Sequence, residues 1–414
     1  MASAYLDFDL MLEPVEGGYR ARVLSSPAGQ AQEPCSPDLD LAAWWARAGR
    51  LGGTGALQLP EAELQSWGQT LFRQVFRGQV EQLFRRSLDR AAGQGQGLRL
   101  RLRLLDAPEL LPVPWEILYD PQGRRFLALS GQTPLLRYLE MPEPDRALAL
   151  APPLRILALL ASPTDLPPLS VEREQAVLAQ ALAPAVDRGL VQIRWAEQAD
   201  LPTVQGWLRR EPVHVLHFVG HGLFDRDQGQ GFLAFQDEEG RTRPVSASQL
   251  GVLLQDRPSL RLVVLNSCDT AQATSVDPFG GIAQHLVRQG IAACAAMQAS
   301  IPDRAAVTFA RVFYSALAEG LALDTALVEA RKAIYFAGYT AAWAVPALYT
   351  HAADGRIFAR PAEPVHRADE PEPEPEGTVR IHIGDRGGSV RDSTISIGDV
   401  AGRDLRPPEE DPEA

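Results

Sequence analysis

An α/β fold, with a mainly parallel sheet flanked by helices and preceded by a smaller α+β module, is predicted by three observations. From about residue 154 to residue 360, short apolar runs alternate with amphipathic stretches of helical period, the pattern of strands buried on both faces and joined by crossover helices. Before that, alternating segments and one long amphipathic stretch mark a unit of different style over residues 1–150. After residue 360 the composition becomes acidic and rich in proline, which excludes a packed core there.

In chain order, YLDFDLMLEP alternates, EGG supplies a turn and YRARVLSS alternates again, a hairpin signal. Between residues 61 and 92, Leu64, Trp67, Leu71, Phe72, Val75, Phe76, Val80, Leu83 and Phe84 recur at three- and four-residue steps. One amphipathic helix ending at GQGQG is expected. LRLRLRLL then reads as a strand with its arginines on one face, and LPVPWEILYD and RFLALSGQTPLLRYLE as further strand and turn. MPEPDRALALAPP, rich in proline and acid, is the expected domain boundary.

The second stretch, 151–360, opens with the strand LRILALLASP and the helix VEREQAVLAQALAPAV. It continues through VQIRWAE (strand), LPTVQGWLRR (helix), VHVLHFVGHG (strand) and a hairpin in FLAFQDEEGRTRPV. LRLVVLNSC (strand), FGGIAQHLVRQG (helix) and IAACAAMQ (strand) follow, then two helices near 303–319 and 322–338 and the closing strand WAVPALYTH. Residues 361–378 form an acidic Pro/Glu linker. In 379–414, Ile381-His382-Ile383-Gly384-Asp385 is echoed 14 residues later by Ile395-Ser396-Ile397-Gly398-Asp399, a short β repeat too small to fold well alone.

Composition narrows the function classes. Net charge is −12, but residues 361–414 hold 14 acids and 6 arginines, leaving −4 for the rest. No basic stripe exists to bind nucleic acid, and no apolar run is long enough to span a bilayer. Three cysteines, Cys35, Cys268 and Cys294, are too few for a disulfide framework. With an N-terminus that lacks the marks of a signal peptide, the expected location is the cytoplasm. No dinucleotide fingerprint, P-loop or serine elbow occurs, no histidine or cysteine cluster has zinc-ligand spacing, and no cofactor is expected.

Two strand ends carry the chemistry. HVLHFVGHG reaches His221-Gly222 and LVVLNSC reaches Cys268-Asp269; both runs are apolar until the polar residue appears where the chain should leave the sheet. In a parallel sheet both side chains emerge at the same edge, as a cysteine nucleophile and its base require. A free thiol has a pKa of about 8.5, so an adjacent imidazole is needed to take its proton. The amides of Gly222 and Cys268 are the natural oxyanion donors. Cys294, inside IAACAAM, reads as a packed small hydrophobe, and Cys35, beside Pro34, as an incidental loop residue. His214 and His217 read as structural and His285 as helical.

HFVGHG and NSCDTA, with 46 residues between His221 and Cys268, resemble the His-Gly and Ser-Cys signatures of the CHAT-domain family, caspase-like cysteine peptidases related to separases. LLASPTDLPPLSVEREQAVLAQAL resembles the family's opening strand and helix. IPDRAAVTFARVFYSALAEGLALDTALVEAR resembles its closing helices, and LPVPWEILYD and LLRYLE the stretch upstream.

The resemblance implies a caspase-like sheet, His221 as general base, Cys268 as nucleophile, and endopeptidase action on protein substrates in bacterial signalling or defence. It also implies an inactive companion role for residues 1–150. Related peptidases often read a basic P1 side chain with an acid; Asp269, Asp277 and Asp303 are the candidates, although Asp303 reads better as a helix N-cap. Gln298 departs from the family, which often has an aromatic there, and this bears on the substrate cleft. The alternative function is a non-catalytic scaffold recruiting partners through its tail. An activating protein, or self-association through residues 379–414, is the expected partnership.

Overall fold

A computed structural model describes residues 5–36, 59–142, 146–225, 230–267, 279–299 and 301–359. The linker and repeat of residues 361–414 therefore lie outside the described residues, as do Cys268, Asp269 and Asp277. The described residues all fall within one compact unit, Met1–Pro361.

The chain opens with β1 (Tyr5–Val15), β2 (Gly18–Ser25) and β3 (Ala31–Cys35). β1 and β2 form the expected antiparallel hairpin, Val15 facing Gly18. Cys35 closes β3 and is buried there, so it is a strand residue and not the loop residue anticipated. The helix anticipated over 61–92 is two helices, α1 (Glu61–Val75) and α2 (Gly78–Gly93). The chain breaks at Gly78, whose φ of +47° is left-handed, and the Gln79 amide donates to Glu33 at 2.9 Å to start the second helix. The apolar stripe runs through the break, which is why periodicity alone joins the two. Phe72 and Phe76 stack at 4.5 Å, and Phe84 and Phe8 close the cluster between helices and sheet. Gly68 of α1 is required by packing: a Cβ there would stand 2.1 Å from the Ile117 carbonyl oxygen.

Strands β4 (Gly97–Arg103) and β5 (Leu135–Tyr138) follow. The arginines of β4 share one face, as its alternation predicts: Arg99 lies 3.1 Å from Asp7 and 3.3 Å from Asp324, and Arg101 lies 2.5 Å from Asp7. Asp324 is buried, and burial pushes its carboxyl above the usual carboxylate range. These pairs bind β1 and β4 to the helix carrying Asp324, near the other end of the chain.

The second stretch supplies β6 (Leu154–Leu160), α3 (Val171–Asp187), β7 (Val191–Trp195), α4 (Leu201–Arg210) and β8 (Val215–Gly220). Next come the antiparallel strands β9 (Gly222–Asp225), β10 (Gln230–Gln236) and β11 (Thr242–Ser246). Helix α5 (Ala247–Leu254), not anticipated from the sequence, is started by a capping box: Ser246 accepts from the Gln249 amide and Gln249 from the Ser246 amide. β12 (Leu262–Ser267), α6 (Gly280–Arg288), β13 (Ala293–Met297), α7 (Asp303–Ala318), α8 (Leu323–Phe336) and β14 (Pro346–Thr350) complete the fold.

Eleven strands join one sheet in the order β7-β6-β8-β12-β13-β14-β5-β4-β1-β2-β3, and β9, β10 and β11 form a separate three-stranded sheet. Neighbours are parallel except β13–β14, β1–β2 and β2–β3. The expected boundary near residues 141–153 thus falls between strands of a continuous sheet, because β5 pairs with β14 of the later stretch. The described residues of β8, β12 and β13 are buried on both faces, apart from Ser267, where only the backbone is described. This double burial is why those strands read as unbroken apolar runs.

Candidate active site

The carboxyl ends of β8 and β12 meet at one edge. The two strands are parallel and in register from Val215 with Leu262 to Gly220 with Ser267. His221 therefore follows the last paired residue of β8, and Cys268 is the residue that follows its partner in sequence. Gly220 is demanded by this crowding: a Cβ there would stand 2.8 Å from the Phe218 ring and 3.0 Å from Ala161.

The His221 ring is buried, with Nε2 2.9 Å from the carbonyl oxygen of Pro167. A carbonyl can only accept, so Nε2 carries the proton and donates; in the neutral ring Nδ1 is left as the basic nitrogen. The loop between β6 and α3, which carries Pro167, thus fixes both tautomer and ring orientation. That partner was not read from the sequence, since a backbone carbonyl leaves no residue-type signal.

Gly222 begins β9 and is half-buried. Asp303 begins α7, but Pro302 holds the cap position and no side chain caps that helix, which corrects the cap reading. The Asp303 carboxylate pairs instead with Arg173 of α3. Gln298 is also placed away from a cleft: it is 2% exposed and its side chain joins a buried cluster. Its Oε1 accepts from Arg137 at 2.6 Å and its Nε2 donates to Glu116 at 2.8 Å. Glu116 belongs to the PWE segment and Arg137 to LLRYLE, so the two upstream motifs meet across the core.

His214, His217, His285, Cys35 and Cys294 have structural surroundings. His217 faces the Tyr314 hydroxyl at 2.5 Å, and full burial pushes its pKa down to about 4. His214 Nδ1 accepts from the Arg155 amide at 3.0 Å; burial, then the Arg155 charge, holds it down to about 4. His285 lies on α6 with Nε2 3.1 Å from Ser248. Burial pushes the Cys35 thiol up to about 11 and raises the Cys294 thiol too. Neither environment favours a thiolate.

Asn266, two residues before Cys268, was missed although it is a polar residue inside the apolar run LVVLNSC. Its Oδ1 is buried and has no hydrogen-bond partner among the described residues. With His217, Val219, Met297 and Phe309 it lines a recess of about 20 Å³ beneath the sheet edge, room for about one water-sized group. Among the described residues no group of three or more His, Cys, Asp or Glu side chains is placed to hold a metal ion.

Comparison with known families decides the relationship. The CHAT domain family model matches residues 65–351. The chain belongs to the CHAT domain family. The CHAT match begins inside α1 and runs through β14, so it includes the upstream strands as well as the two strand ends. A search of curated proteins returned no match.

Among solved structures, the CHAT chain is similar to separase in the separase–securin complex of Saccharomyces cerevisiae, at 9% identity and a TM-score of 0.48. That similarity covers 84% of this chain and 30% of the separase chain. It is also similar to a secreted C11 cysteine protease from Bacteroides thetaiotaomicron bound to an irreversible peptide inhibitor (13% identity, TM-score 0.28, 40% of this chain and 54% of that one). A third is the Arg-specific cysteine proteinase gingipain R, at 8% identity and a TM-score of 0.38, over 75% of this chain and 71% of that one. The fold is a mixed α/β architecture, a large mainly parallel sheet flanked by helices.

Proposed function

We propose that this chain is a cysteine endopeptidase in which His221 and Cys268 form the catalytic pair. The observation that supports it is the His221 ring at the carboxyl end of β8, its Nε2–H held by the Pro167 carbonyl and its Nδ1 left basic, beside the strand end that leads into Cys268. His221 takes the thiol proton, and the thiolate attacks the scissile carbonyl carbon. The carbonyl oxygen becomes an oxyanion that accepts from the amides of Gly222 and Cys268. His221 returns the proton to the departing amine, leaving a thioester. A water molecule, deprotonated by His221, attacks the thioester; the carboxylic product leaves and the thiol is restored.

The chain acts on protein substrates in bacterial signalling or defence, in the cytoplasm, under a protein activator or through self-association by residues 379–414. The strands of residues 1–150 serve as the inactive companion of the catalytic half. A basic P1 residue would be read by Asp269 or Asp277; Asp303 already has Arg173 as its partner.

The test is Cys268→Ala on the full chain, with turnover of a proteome-derived peptide library followed by mass spectrometry. Cleavage disappears while the thermal melt stays unchanged. A thiol-reactive peptide electrophile labels Cys268 and spares Cys35, whose thiol is buried and raised in pKa. Turnover retained in the alanine variant would sink the assignment, and labelling of neither cysteine would favour a scaffold.

A further inference from the structure

Strand β9 starts at the residue after His221 and is the outermost strand of the small sheet β9-β10-β11. Among the described residues no strand pairs with its outer edge. The phase of the inner ladder decides which groups that edge presents. Ala234 N–H donates to the His221 carbonyl at 3.0 Å, and the antiparallel register continues as Gly222 with Leu233, Leu223 with Phe232 and Phe224 with Gly231. In an antiparallel ladder, residues alternately turn both N–H and C=O toward the partner and away from it. His221 and Leu223 face β10, so Gly222 and Phe224 direct their amide and carbonyl groups outward.

The first outward amide is therefore that of Gly222, the oxyanion donor of the proposed reaction. The second, that of Phe224, lies one strand repeat further on, about 7 Å away. An extended peptide has the same repeat. A substrate whose scissile carbonyl accepts from Gly222 meets Phe224 with its own backbone two residues along. The edge can be reached: Gly222 is half-buried and Phe224 is 45% exposed. Gly222-Leu223-Phe224 contains neither proline nor a charged side chain, and the one charge of the strand, Asp225, stands beyond the two outward amides.

We propose that the outer edge of β9 is a backbone-reading subsite, on which the substrate lies as a fourth strand of the hairpin sheet. The inference rests on the peptidase reading and adds to it a substrate class: extended, unfolded segments with a free amide two residues from the scissile carbonyl. The paired residue is P3 if the added strand runs antiparallel to β9, and P2′ if it runs parallel. At that residue the enzyme reads backbone and tolerates many side chains.

The experiment takes the best-cleaved peptide from the library, as a decapeptide spanning the cut, and compares the full chain with Phe224→Ala and Phe224→Pro. Proline removes the outward N–H, and at an edge residue whose amide does not serve the inner ladder the hairpin tolerates it. Alanine removes the side chain and keeps the amide. The rate at which Cys268 reacts with iodoacetamide checks that the nucleophile is intact in both variants. Phe224→Pro is expected to lower kcat/KM about five- to tenfold below Phe224→Ala, the scale of one hydrogen bond at a partly exposed edge. N-methylation of the decapeptide at P3 or at P2′ has the matching effect on wild type and identifies the strand direction.

Equal cleavage by the proline and alanine variants overturns the subsite and leaves the peptidase reading intact. A wild-type chain that cleaves no peptide and whose Cys268 is not labelled by the thiol-reactive peptide electrophile overturns both. Faster cleavage by Phe224→Pro than by Phe224→Ala assigns the edge to a competing segment of this chain, such as the 379–414 repeat, and overturns the substrate assignment.

Discussion

Replacing Glu116 by glutamine removes one negative charge from between two buried arginines. Glu116 and Arg331 are fully buried and Arg137 is 2% exposed. The carboxylate lies 3.0 Å from Arg137 and 3.9 Å from Arg331. Burial pushes the Arg331 guanidinium down to about 10, against the pull of Glu116 and with the push of Arg137. Without Glu116 two cations face each other in the core. Breaking a buried ion pair by removing one partner costs about 3–5 kcal/mol.

The lower end of that range applies here. Arg137 keeps the Leu111 and Val113 carbonyls, Tyr349 and Gln298 as acceptors, and glutamine keeps the shape of the lost side chain. The expected loss is about 3 kcal/mol, a large share of the ~5–15 kcal/mol that holds a typical domain. For a body of this size it corresponds to a melting temperature lower by about 4 °C. Urea titration followed by tryptophan fluorescence, with calorimetry, measures it. Arg331→Met should restore stability to the Glu116→Gln chain while destabilising the wild type. A loss under about 1 kcal/mol for Glu116→Gln, or strict additivity with Arg331→Met, would refute the account of one carboxylate holding two guanidiniums.

Two further outcomes follow from the geometry. Because burial holds His217 at about 4 in the folded chain, the unfolded chain takes up the proton first as pH falls. The stability from His217 is complete above about pH 6.5 and is lost down to about pH 4, by up to about 3 kcal/mol, with His214 contributing in the same direction; urea midpoints at pH 7, 5 and 4 should fall less steeply in His217→Gln, and parallel slopes would contradict this. Asp303→Asn breaks a pair whose Arg173 side chain is 66% exposed, so it should cost less than about 1 kcal/mol and leave the ratio of cleavage after arginine to cleavage after leucine unchanged; a selective tenfold loss after arginine would make Asp303 a specificity residue.

The half of the chain carrying His221 and Cys268 was the more legible in sequence. Strands buried on both faces have no choice but to be apolar at every position, so β6, β8, β12 and β13 announce themselves, and a polar residue at the end of such a run marks where the sheet stops. Helix α5 was illegible because eight residues hold too few turns to show a period; only its capping box was a signal. The break at Gly78 was hidden because the apolar steps run straight through it: Leu71, Phe72, Val75, Phe76, Val80, Leu83 and Phe84 are all buried. Of the site, His221 was readable as a residue type in a place, but its partner was not: Pro167 contributes a carbonyl that any residue would have.

What the sequence alone determined is the alternation of strands and helices, the two polar strand ends and the membership of a family, all consequences of local pattern and short motifs. Only the tertiary structure decided that residues before and after position 150 share one sheet through β5 and β14, that Glu116, Arg137, Gln298 and Arg331 meet in the core, and that the imidazole is held by a backbone carbonyl. Those facts depend on which distant segments touch. Contacts between segments about twenty to more than two hundred residues apart are set by the summed packing of the whole unit, and no local stretch encodes them.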